Sequence, residues 1–124
     1  MMKWYVVPFL MVALIGVCLP VQAAGTELMT AFSLRVTVVE NDVIYEWEYD
    51  SPNHYEYEQG EHVVKGAEAK KKVEELVEEL KLDEHAEVDD LVKRLKNSSH
   101  PDIERLDIRY MNQDSKLFTW VWKA

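Results

Sequence analysis

The stretch from Lys65 to Leu82 constrains the fold more than any other part of the chain. Within it Ala69, Val73, Leu76, Val77 and Leu80 recur at helical spacing and line one stripe of an α-helix. The positions between them are mostly Lys and Glu, which leaves the opposite side to solvent. Taken alone, this helix is electrostatically unfavourable. Lys70, Lys71 and Lys72 gather toward the positive end of its dipole, and Glu78 and Glu79 toward the negative end. Glu74/Glu78 and Glu75/Glu79 add like-charge pairs one turn apart. The helix must therefore be held by burying its stripe, and the rest of the chain has to supply the surface.

Strands supply it. Phe32 to Val38 alternates apolar and polar residues with the period of a half-buried strand. After the turn residues Glu40-Asn41-Asp42, Val43 to Asp50 alternates again, with Tyr45, Trp47 and Tyr49 on one face and Glu46, Glu48 and Asp50 on the other. Ser51-Pro52-Asn53-His54 turns the chain into Tyr55-Glu56-Tyr57-Glu58, expected as a short third strand near an edge. Gln59-Gly60 breaks it, and Val63-Val64 leads to Gly66 and the helix. A second helical stripe, Val88, Leu91, Val92 and Leu95, carries its acids at the start and its bases at the end. Ile103 to Met111 and Lys116 to Trp122 form a closing hairpin across Asn112-Gln113-Asp114-Ser115. Apolar groups on both sides of that last strand mark it as interior, or as a strand whose second face meets a partner.

The expected fold is α+β, a two-layer sandwich. A mainly antiparallel five-stranded sheet (β-β-β-α-α-β-β) carries two helices packed on one face. Two strand orders stay open. Joining the first strand to the fourth gives 3-2-1-4-5 and an all-antiparallel sheet, whereas joining it to the fifth makes one pair parallel.

Residues 1–23 have the signature of a secretory signal peptide. Lys3 precedes an apolar run from Trp4 to Leu19, and Val21-Gln22-Ala23 places small residues at a cleavage site. A retained N-terminal membrane anchor is the alternative, since Trp4 to Ala24 just spans a bilayer. Lipid attachment at Cys18 is disfavoured by the bulky Val17 before it. Residues 24–124 then form one domain without cysteine, held by its core and not by disulfides. A net charge of −9 disfavours a nucleic-acid partner, because phosphate binding needs clustered bases.

Several stretches together resemble the YusW-like family of small exported or lipid-anchored proteins of low-GC Gram-positive bacteria. They are Phe32-Ser33-Leu34-Arg35-Val36, the acid- and aromatic-rich hairpin, Lys65-Gly66-Ala67-Glu68-Ala69 opening a helix, and Ile108-Arg109-Tyr110 before a Trp-bearing final strand. The resemblance runs from Phe32 to about Trp122. It implies a bacterial envelope protein and supplies no catalytic residues.

Two sets of side chains are candidates for a site. His54, Glu56, Glu58 and His62 are weak metal-ligand candidates, with Glu61 between them, yet their spacing matches neither a zinc nor a calcium motif. Tyr55, Tyr57 and Trp122 are partner-contact candidates, because Tyr and Trp are enriched at interfaces. Tyr45, Trp47, Phe118 and Trp120 are assigned to the core. No Gly-x-Ser-x-Gly elbow, Ser-x-x-Lys or Gly-rich phosphate loop is present, so no catalytic residue and no cofactor is expected. The resulting expectation is an exported, non-catalytic binding or accessory module of the bacterial cell envelope, secreted or extracytoplasmic. Its partner is a protein or glycan, and it meets the membrane only through an uncleaved N-terminal segment. The rivals are a metal-dependent envelope enzyme using the His54–His62 cluster and a protein inhibitor acting through a sheet edge.

Overall fold

Alternation along the strands becomes one antiparallel sheet with two chemically different faces. The structure, a computed structural model, describes residues 31–124, so the expected leader lies outside the described residues. The chain forms β1 (Ala31–Glu40), β2 (Val43–Asp50), β3 (His54–Gln59), β4 (His62–Lys65), α1 (Ala67–Leu80), α2 (Val88–Lys96), β5 (Ile103–Asn112) and β6 (Leu117–Lys123). The six strands lie in the order β4-β3-β2-β1-β5-β6, and every neighbouring pair is antiparallel. The first strand thus joins the fourth of the five expected ones. The all-antiparallel order is the one adopted.

The expectation of five strands is corrected to six. β4 is four residues long, too short for its alternation to register in the sequence, and pairing with β3 makes it a strand. Its presence moves β3 from the edge to the interior. Gly60 enables the connection, because the β3–β4 turn needs its positive φ of 59°. Asn41 and Asp42, at φ 50° and 63°, form the two-residue β1–β2 turn in the left-handed region that twisted hairpins favour. β6 is not interior but the opposite edge. Its Leu117 and Val121 are 54% and 64% exposed.

The core lies between the sheet and both helices. Across the covered face the pairing registers build three rows of side chains. Tyr55, Tyr49, Leu34, Tyr110 and Phe118 form one, and Val64, Tyr57, Trp47, Val36, Ile108 and Trp120 the next. Gln59, Tyr45, Val38, Leu106 and Trp122 form the third. Against them α1 buries Ala69, Val73, Leu76, Val77 and Leu80, the stripe read from the sequence, and α2 buries Leu91, Val92 and Leu95.

The misplaced charges of α1 find partners outside the helix. Lys70 and Lys72 place their ammonium groups 5.8 and 5.7 Å from the ring centres of Tyr55 and Tyr57. At the other end, where α1 has no base in its last turn, Arg94 of α2 donates from Nη1 to the Leu80 carbonyl at 2.7 Å. Glu79 accepts hydrogen bonds from the Ser98 and Ser99 hydroxyls and from the Ser99 N–H, so it secures the loop that leaves α2. Charges that weaken the isolated helix fasten it to its neighbours.

The same loop delivers His100 to the end of the sheet. His100 and Glu40 are the buried polar residues among the described ones, with the His100 Nδ1 3.0 Å from the Glu40 Oε1. The other carboxylate oxygen accepts the Asp102 N–H at 2.8 Å, and the Tyr45 and Trp47 rings pack at 4.8 and 5.8 Å from the imidazole.

Leu80→Ala should cost about 2–5 kcal/mol in urea unfolding, as a fully buried leucine does. Glu78→Ala on the solvent side should stay within about 0.5 kcal/mol. Glu40→Leu should cost about 1–3 kcal/mol in the same assay, because it strips the acceptor from His100 and from the Asp102 N–H.

Candidate interaction surface

Both helices cover one face of the sheet, and among the described residues no helix covers the other. Alternation fixes what it presents. On β2 and β3 it presents glutamates, on β1 and β5 arginines, and on the flanking strands aliphatic side chains.

The registers order these groups into rows. One row reads Lys65, Glu56, Glu48, Arg35, Arg109 and Thr119 from β4 to β6. The adjacent row reads Val63, Glu58, Glu46, Thr37, Asp107 and Val121. Beyond it Ile44 stands beside Val39. Glu48 and Glu56 are therefore directly opposite across β2 and β3, and so are Glu46 and Glu58. Like charges in that relation destabilise a sheet.

The ion pairs on this face are long, joining exposed bases to largely covered acids. Arg35 to Glu48 and Lys65 to Glu56 are both 3.8 Å, while Asp107 lies 3.7 Å from Arg105 and 3.9 Å from Arg109. Between them runs a shallow groove of about 190 Å³ bordered by Arg35, Thr37, Glu46, Glu48, Asp107 and Arg109. The Glu48 carboxyl is held above the usual carboxylate range, chiefly by burial and also by Glu56, against the opposing pull of Arg35. The Glu58 carboxyl is raised too, by desolvation first and by Glu46 and Glu56 after it. Chemically the surface offers both signs of charge in one row, with apolar side chains at its margins.

Of the residues singled out in the sequence, some lie on this face and others do not. Tyr55 and Tyr57 are 9% and 8% exposed and lie under α1, so the expectation that they form a free contact surface is corrected. Covering β3 with β4 and α1 puts both rings in the core, where burial raises their hydroxyl pKa values. Trp122 is half-buried on the covered face, with the Lys96 ammonium 5.1 Å from its ring. The metal-ligand set is divided. His54, Glu56 and Glu58 share the open face, but His62 pairs with Gln59 and belongs to the covered side. Among the described residues no three His, Cys, Asp or Glu side chains are placed to hold a metal ion.

Arg35, Asp107 and Arg109 were legible as the polar sides of their strands. What alternation withholds is the neighbour across each strand. The pairing of Arg35 with Glu48 and Arg109 depends on strand order, which the sequence left open.

Compared with family models, curated proteins and solved structures, the chain matches none.

Glu58→Gln should raise the melting temperature by about 1–3 °C at pH 7, because it relieves a like-charge cross-strand pair. The sign follows from the raised carboxyl. A group that binds its proton more tightly when folded favours the folded state at low pH. That contribution is lost as the pH rises from below the ordinary carboxylate value through the raised one. The advantage of the variant should therefore shrink toward pH 4, measured by thermal melts of dilute protein across pH ~4–7.

Proposed function

We propose that this chain is an exported, non-catalytic binding module of the bacterial envelope, and that the helix-free face of its sheet is the contact surface. One observation carries the reading. The open face places exposed aliphatic side chains (Ile44, Val63, Leu117 and Val121) around an ordered field of acids and bases. Large apolar groups at 46–64% exposure along the margins of a charged face give a partner apolar surface to bury. An apolar margin around charged groups that pair selectively suits specific recognition. Export is supported by the basic start at Lys3, the apolar run from Trp4 to Leu19 and the small residues at Val21 and Ala23.

The inhibitor reading requires different residues. It would use the outer backbone of β6, an edge of the sheet among the described residues, in strand addition. The two are separated by placing a photo-crosslinking amino acid in the full chain in living cells. A probe at Thr37, in the middle of the open face, should capture an envelope component that a probe at Glu75 on α1 does not. Capture from Glu75 alone, or only from a probe at Lys123 on the edge strand, would overturn the assignment to the open face.

A further inference from the structure

The rows on the open face are complementary to themselves. We propose that the occupant of this face is a second copy of the same chain, related by a twofold axis parallel to the strands and lying over the β2–β1 boundary. The inference rests on the reading of the open face as a contact surface and names its partner.

The geometry follows from strand order. In β4-β3-β2-β1-β5-β6 the midline falls between β2 and β1. A twofold along that midline lays β2 on the second copy's β1, β3 on its β5 and β4 on its β6, and leaves each row facing itself. In the charged row Glu48 then meets the second copy's Arg35, and Glu56 meets its Arg109. In the next row Glu46 meets Thr37 of the second copy, and Val63 meets its Val121. Ile44 meets the second copy's Val39. Each contact occurs twice. The like-charge encounter is Glu58 with Asp107, and there Asp107 already stands between Arg105 and Arg109. The other in-plane twofold, perpendicular to the strands, stacks every strand on its own copy. It brings Glu48 and Glu56 over Glu46 and Glu58, so charge excludes it.

Size and charge agree with this arrangement. Six strands spaced about 4.8 Å apart and four rows about 7 Å apart give a footprint of roughly 500 Å² per copy. The total of about 1,000 Å² is at the lower bound for a specific interface, so the dimer should be weak and reversible. The chain's net charge of −9 opposes association in general, yet acids and bases nearly balance on this face. Glu48 and Glu56 face each other across β2 and β3 with their nearest bases 3.8 Å away, and the Glu48 carboxyl is raised first by its burial and then by Glu56. A second copy brings Arg35 and Arg109 to these acids.

Sedimentation velocity on the full chain, from about 1 to 300 µM in low salt, tests the proposal. Wild type should pass from monomer to dimer in that range, and salt near 0.5 M should shift it toward monomer. Glu56→Arg and Arg109→Glu should each lose at least about tenfold in dimer affinity, because each puts like charges together twice. An equimolar mixture of the two variants should recover the dimer, since both cross-interface pairs are then of opposite sign. Circular dichroism establishes that each variant is folded. Should Glu56→Arg fail to fold, Val121→Asp at an exposed margin position must show the same loss. Wild type that stays monomeric throughout overturns the proposal, as do single variants that stay dimeric or a mixture that fails to recover. All variants share residues 1–30, so association through that segment would survive the reversals and count against the open face. A monomeric wild type removes the second copy alone. The wider reading is then judged separately by what the Thr37 probe captures.

Discussion

The structure depends on burying the α1 stripe against the aromatic rows of β2 and β3. The charge pattern of this helix works against it, with lysines near the positive end of the dipole and acids near the negative one. An isolated helix of this length is marginal in water even without that handicap. Ala69, Val73 and Leu80 are fully covered, and each large side chain buried contributes ~1.5–3 kcal/mol of gross stabilisation. That outweighs the tenths of a kcal/mol at stake in each helix-surface pair. Once the helix is docked, the same charges acquire work to do. The lysines sit over Tyr55 and Tyr57, Arg94 caps the Leu80 carbonyl, and Glu79 holds the loop that carries His100 into the core.

Legibility in the sequence followed the length of the repeating signal. Seven residues of alternation in β1 and a fourteen-residue helical stretch in α1 are enough to mark an element and the face it buries. Four residues in β4 are not. That one omission explains the misplacement of Tyr55 and Tyr57. Without β4, β3 reads as an edge strand and its tyrosines as available. With it they are sealed beneath α1, and the two-residue turn at Gly60-Glu61 sends His62 to the side opposite His54. Alternation tells which residues share a face but not which face is covered. The Glu40–His100 pair was out of reach for another reason. It joins residues sixty positions apart, and nothing local in either segment signals the meeting.

The last strand shows how an observation with two explanations is decided by topology. Apolar residues on both sides of Leu117–Trp122 fit either a central strand or one whose outer face is used. The strand order places β6 at an edge, which removes the first explanation. Phe118, Trp120 and Trp122 then account for the covered side, with the Trp120 indole N–H donating to the Ala86 carbonyl at 2.7 Å. Leu117 and Val121 remain unexplained by folding.

The two faces of the sheet also divide the labour of specifying it. On the covered face, rows of aromatic and branched residues fix register, because a one-residue slip would send the entire apolar set into water. That constraint is strong enough for the open face to carry pairs the fold would otherwise reject, Glu46 beside Glu58 and Glu48 beside Glu56. Each such pair weakens the isolated domain by tenths of a kcal/mol, a cost the core readily absorbs. Arginines are not interleaved among these acids, although β1 and β5 carry them one and two strands away. Gathering the glutamates on β2 and β3 raises the internal energy of the face and leaves them beside arginines on β1 and β5, with Asp107 among the latter. A field arranged in that way is of little use to the fold, and it is what a complementary surface can read.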